Sequence, residues 1–171
     1  MRIIFVTSTT EKMKLTLFIL LALFSCTACS DRCDVANEVE TTVYIIKNGL
    51  QEVTLSADDP TYEIWLNKAG YNSHATVLSL KVDTEDLVVW NARNKSDYRM
   101  LPDNCYEFDR EVVRLSGDEH KACVRLVFDT ACFPIGEKFL LPVRAVCPAD
   151  TDAVSPELGI VYLKIKIENE K

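Results

Sequence analysis

Glycine is scarce in this 171-residue chain, at five residues, and histidine is scarcer still, at two. The sequence holds no Gly-rich phosphate loop, no Gly-x-Ser-x-Gly elbow and no His-Glu-x-x-His pair. His74, in a strand-like stretch, and His120, in a turn-like one, lack the spacing of a metal cluster or a triad. Basic charge is in deficit as well, with 19 Lys+Arg against 26 Asp+Glu. Binding to phosphate backbones needs a basic footprint, so nucleic acid is not an expected partner. The acidic pairs Asp58-Asp59 and Glu85-Asp86 read as loop acids and a helix first turn. Glycosidase carboxylates would need a cleft and a fixed separation. Asp58-Asp59-Pro60 lacks the staggered ligands of a calcium loop. No catalytic residue, metal or cofactor is expected.

No apolar run reaches the roughly 20 residues that span a bilayer, but a shorter one stands near the start. Lys12 and Lys14 precede Leu15–Phe24, about ten apolar residues that meet Ser25-Cys26. Residues 1–25 are expected to be a secretory signal peptide, with translation starting at Met1 or at Met13. Leu23-Phe24-Ser25-Cys26 resembles a bacterial lipobox, which implies a lipid on Cys26, with Cys29 as the alternative. Acyl chains stabilise anchoring by about 0.8 kcal/mol per buried methylene, so the membrane is an expected partner through the lipid.

Losing residues 1–25 removes Arg2, Lys12, Lys14 and Glu11, leaving 16 basic and 25 acidic side chains and a net charge of −9. Seven cysteines suit an oxidising compartment. Cys105, Cys123, Cys132 and Cys147 lie in the domain and allow three pairings, among which spacing does not choose.

Residues 26–40 are polar, acidic and aperiodic, and read as a tether. A β-domain is expected over 41–168. Thr41–Lys47 and Glu52–Ser56 flank Asn48-Gly49, a hairpin signal. Tyr62–Leu66 alternates, with Tyr62, Ile64 and Leu66 on one face and Glu63 and Trp65 on the other. His74–Val82 alternates again. Glu85–Arg93, capped by Asp83 or Thr84, is the one expected helix, burying Leu87, Val88 and Val89. Further strands are expected from Tyr106 into Glu111–Leu115, over Lys121–Phe128 after a turn at Ser116–Glu119, over Lys138–Val146, and over Leu158–Ile167. Pro142 places the Lys138–Val146 strand at an edge or bulge. Seven or eight short strands with one helix imply an all-β, two-sheet sandwich.

The order of these pieces resembles a domain family of unknown function found in surface lipoproteins of Bacteroidetes. It is carried by Val43–Leu50 with Val53-Thr54-Leu55, by the helix running into Trp90–Pro102, by Cys105-Tyr106, and by Val124–Asp129 leading to Leu140–Arg144. The family stands ahead of glycoside hydrolases and inside glycan-binding outer-membrane proteins, so the resemblance implies an immunoglobulin-like accessory or binding module. Trp90 stands where a tyrosine is commoner, and the chain ends after its last strand, so no accompanying enzymatic activity is expected.

Sugar rings stack on exposed aromatics, and Tyr62, Trp65 and Tyr71 cluster around one strand and its following loop. They are the candidate glycan contacts. The expected role is non-catalytic capture of polysaccharide at the outer membrane, with polysaccharide or outer-membrane uptake proteins as partners. The alternative is a structural or adhesive envelope protein that binds another protein. The acidic Ser30–Asp34 segment resembles the tether of surface-exported lipoproteins, which implies an outward-facing location.

Overall fold

The computed structural model describes residues 41–56, 58–70, 75–133, 137–148 and 153–167. The expected signal peptide, Cys26, Cys29 and the 26–40 tether lie outside these residues, as do Tyr71 and His74.

Among the described residues ten strands alternate between two sheets as the chain proceeds. The first sheet holds β1 (Thr42–Ile45), β3 (Thr61–Ala69), β5 (Tyr106–Phe108), β7 (Lys121–Phe128) and β9 (Ala153–Val154), in the spatial order β5-β7-β3-β1-β9. The second holds β2 (Gly49–Leu55), β4 (Thr76–Val82), β6 (Val112–Leu115), β8 (Phe139–Val146) and β10 (Ile160–Ile167), in the order β2-β10-β8-β4-β6. Over the described residues the fold is an all-β, immunoglobulin-like two-sheet sandwich with one α-helix.

Every connection between consecutive strands therefore changes sheet, which overturns the hairpin expected at Asn48-Gly49. Gly49 does take a positive φ of 71°. The turn sends the chain across the sandwich: β1 pairs with β3 and β9, while β2 runs parallel to β10 in the other sheet. Val43 and Ile45 of β1 and Val53 and Leu55 of β2 all enter the core. Two strands with one apolar face each can satisfy their alternation from opposite sheets as well as side by side. Each such side chain, fully buried, stabilises the fold by about 1.5–3 kcal/mol.

The proline expectation is also overturned, because β8 is the central strand of its sheet. Amides point alternately to the two sides of a strand. The Leu140 amide donates to the Arg99 carbonyl at 3.1 Å, so position 142 faces that same side. There the neighbouring strand β4 has ended, with Val82 opposite Val143. Pro142 thus sits where no strand N–H is required.

β8 is buried on both faces from Phe139 to Val143, since a helix covers the outside of this sheet. That helix, α1 (Thr84–Asn94), starts at Asp83, whose carboxylate accepts from the Glu85 amide at 2.8 Å. It ends on Lys95 in the left-handed region, at φ 52°. Leu87 is buried and Trp90 stacks on Tyr162 of β10 with ring centroids 4.3 Å apart. Val88 and Val89 are 63% and 61% exposed, contrary to expectation. One helix turn can point only one stripe at the sheet; positions 87 and 90 take it, and 88 and 89 rotate away. Among the described residues no helix is long and apolar enough to cross a membrane.

One ammonium is built into the sandwich. Lys68 of β3 is 1% exposed, and its Nζ donates to the carbonyls of Gly117 at 3.2 Å and Ser116 at 3.5 Å. These carbonyls belong to the turn between β6 and β7, which Glu119 also closes by accepting from the Ser116 amide and hydroxyl at 2.8 Å each.

Candidate functional site on the outer face of the first sheet

The alternation of β3 sorts its side chains between core and solvent. Ile64 and Leu66 are buried, while Glu63 and Trp65 point outward. Antiparallel register sets the neighbours: Glu63 lies opposite Arg125, Trp65 opposite Cys123, and Asn67 opposite Lys121 of β7 on one side and Tyr44 of β1 on the other. Residues opposite one another share a face, so these side chains form one surface. The Ile46 amide donates to the Trp65 carbonyl at 2.9 Å, which brings the 42% exposed Ile46 alongside.

Trp65 is 41% exposed, and its position is set by a polar contact. The indole Nε1 donates to Glu63 Oε2 at 3.1 Å, and Glu63 Oε1 lies 3.9 Å from Arg125 Nη2. Arg125 is held in turn, its amide donating to Asp109 Oδ1 at 2.9 Å. Burial raises the Asp109 pKa, but the Arg125 amide and the Arg110 and Arg125 guanidiniums outweigh it and leave the carboxyl below its usual range. Burial, and then the charge of Glu63 and Asp109, pushes the Cys123 thiol above its ordinary value, so it remains a neutral neighbour of the indole. The result is an exposed indole on the outer sheet face, neighboured by an amide, a carboxylate and a guanidinium. Such a set can stack an apolar ring face and hydrogen-bond its edge hydroxyls.

The structure does not bring the three sequence candidates together. Tyr62 lies on the opposite face of β3 from Trp65 and packs against the core, where burial raises its phenol pKa. Tyr71 lies outside the described residues. Tyr44, Ile46 and Arg125 were missed by sequence reasoning. The outward half of Lys121–Phe128 carried a signal for Arg125, since Cys123, Arg125 and Val127 alternate with the core residues. Nothing in the sequence places β1 beside β3.

At the far side of this sheet a depression of about 370 Å³ is lined by Asn104, Tyr106, Glu107, Val127, Phe128 and Asp129. Val127 is 39% exposed and lies opposite Glu107. Burial, then a hydrogen bond to Asp103 at 3.0 Å, raises the Tyr106 phenol pKa far above its ordinary value. His120 serves the frame: its carbonyl accepts from the Lys68 amide at 2.8 Å, and its Nδ1 lies 3.3 Å from the Lys68 carbonyl. Among the described residues no three His, Cys, Asp or Glu side chains gather as metal ligands do.

Similarity to solved structures extends over most of the chain. A Bacteroides ovatus protein assigned as carbohydrate binding shares 15% identity at a TM-score of 0.61, over 72% of this chain and 36% of its own. A Bacteroides ovatus protein of unknown function shares 18% identity at a TM-score of 0.65, over 75% and 45%. An endoglycosidase from Bacteroides thetaiotamicron, solved with Man5GlcNAc product, shares 14% identity at a TM-score of 0.55, over 68% and 28%. At these identities the likeness is one of fold, and the chain spans less than half the length of each protein. No curated protein matches in sequence. Residues 37–151, more than half of the chain, match a family model described as “-like, N-terminal domain”, and the chain belongs to that family of N-terminal domains.

Proposed function

We propose that this protein is a non-catalytic binding module of the cell envelope that captures polysaccharide on the outer face of β3 and β7. In this reading a lipid on Cys26 holds the sandwich at the outer membrane, facing outward. The observation that carries it is Trp65: a 41% exposed indole with its N–H fixed by Glu63, on the outer sheet face beside Asn67 and Arg125. An aromatic that leaves apolar area in water while its polar atom is already satisfied is disposed to stack on a ligand. The fold shared with a protein assigned as carbohydrate binding and with an endoglycosidase supports the same class of role.

Glycan-array and affinity-electrophoresis screens of the protein and its Trp65→Ala variant test this reading. Retardation by a polysaccharide that is lost in the variant is the expected result. Absence of retardation across a broad set of saccharides would sink it.

A second reading rests on the other sheet. β2 is a seven-residue edge strand paired among the described residues with β10 alone, and its far side presents main-chain donors and acceptors. Such an edge can accept a strand from a protein partner. Crosslinking through β2 residues in cells, with no saccharide affinity, would favour this adhesive role.

A further inference from the structure

Two short 3-10 turns, distant in sequence, meet beside β5: Asp103–Cys105 and Thr130–Cys132. Cys105 is fully buried and Cys132 is half-buried. The Cys105 thiol donates to the Cys132 carbonyl at 3.2 Å. The Asn104 amide Nδ2 lies 2.9 Å from Cys132 Sγ, and the Cys132 thiol lies 3.7 Å from the Asn104 carbonyl. Each sulfur thus lies against the other turn's backbone next to the other sulfur, although both are thiols in this structure.

We propose that Cys105 and Cys132 are a disulfide site that closes by thiol–disulfide exchange under oxidising conditions. The fold disfavours the other pairings for Cys105. The Cys105 carbonyl accepts from the Asp129 amide at 2.9 Å, level with a point six residues along the chain from Cys123. At about 3.3 Å per strand residue that separation is roughly 20 Å. A bridge needs Cα atoms within about 7 Å. Cys123 also faces outward beside Trp65, whereas Cys147 follows β8 in the opposite sheet.

The chemistry has a natural order. Burial, then the hydrogen bond with Cys132, pushes the Cys105 thiol up to about 11, so it stays protonated at neutral pH. Cys132, the more accessible sulfur, loses its proton and attacks a small-molecule disulfide such as oxidised glutathione, expelling one thiolate that takes up that proton. Cys105 then gives up its own proton and attacks Cys132 Sγ, which breaks the mixed disulfide and releases the second thiol. One donor disulfide is reduced to two thiols while two protein thiols become one bridge. The bond would tie Asn104 and Tyr106 to Phe128 and Asp129, the residues that line the 370 Å³ depression.

The test is disulfide mapping of the full chain. The protein is equilibrated with oxidised glutathione, its remaining thiols are alkylated in denaturant, and unreduced digests are analysed by mass spectrometry. The expected product joins the Cys105 and Cys132 peptides, is lost on reduction, persists in Cys123→Ser, and raises the melting temperature over the reduced protein. Alkylated Cys105 in the oxidised protein, or Cys105 joined to Cys123 or Cys147, would overturn the proposal.

Discussion

Arg144 of β8 forks onto Asp86 of α1, with Nε 2.9 Å from Oδ2 and Nη2 2.5 Å from Oδ1. The helix is thereby bound to the sheet at its first turn, while Trp90 stacked on Tyr162 holds the second. The Asp86 side chain is 14% exposed, so removing Arg144 strands a carboxylate with little water to replace it.

The expected cost of Arg144→Met is about 1–3 kcal/mol, read from urea denaturation. Arg144→Lys should recover only part of that loss, because an ammonium cannot satisfy both oxygens in the plane of the fork. Stability equal to the parent in Arg144→Lys would show that the fork contributes charge alone.

A second prediction concerns acid. Glu52 on edge strand β2 accepts from Lys164 at 2.7 Å and Lys166 at 2.8 Å, both on β10. The hydrogen bond from Lys164, then that from Lys166, lowers its pKa from 4.5 to about 2. A carboxylate whose pKa falls on folding contributes stability that is fully present above its unfolded value and is lost as pH drops through the folded one. The window therefore runs from about pH 4.5 down to about 2. Thermal melts of the protein and Glu52→Gln should differ at pH 6 and converge at pH 2. The pair is exposed, so the difference at pH 6 should also shrink in 1 M salt. A difference that persists at pH 2 would assign the effect to something other than this ion pair.

The buried ammonium gives a third. Lys68→Met keeps the length of the side chain but removes the Nζ donor from the Gly117 carbonyl, while the Ser116 carbonyl keeps the Glu119 amide at 3.1 Å. A hydrogen bond from a charged donor contributes about 1.5–3 kcal/mol, so the variant should be less stable by up to that order in chemical denaturation. The turn between β6 and β7 should also open, seen as faster amide exchange at Ser116 and Glu119. Unchanged exchange at those two amides would show that Glu119 closes the turn unaided.

How much of this was legible beforehand depends on the range of the interaction. Alternation is local, so Ile64 and Leu66 inward with Trp65 outward, and the span Lys121–Phe128, could be read directly. So could a helix cap at Asp83 or Thr84, of which the structure uses Asp83. Pairing is not local: Asn48-Gly49 supplies a positive φ whether the next strand returns alongside or crosses to another sheet. Pro142 looked like an edge residue because its tolerance depends on where a different strand, β4, stops. The site divides in the same way. Trp65 and Glu63 follow from one strand, but Tyr44 and Arg125 join them only through the register of β1 and β7 on β3.

Tyr62 and Trp65, three residues apart on one strand, make the sharpest test of the two faces. Tyr62 packs against the core, so Tyr62→Ala should cost about 2–3 kcal/mol while leaving the outer surface in place. Trp65 stands 41% exposed, so Trp65→Ala should cost about 1 kcal/mol or less. Saccharide retardation in affinity gels should respond in the opposite order, abolished by Trp65→Ala and retained by Tyr62→Ala at a temperature where that variant remains folded. Loss of retardation in Tyr62→Ala with folding intact would move the binding surface off the outer face. Loss in neither variant would detach saccharide binding from β3 altogether.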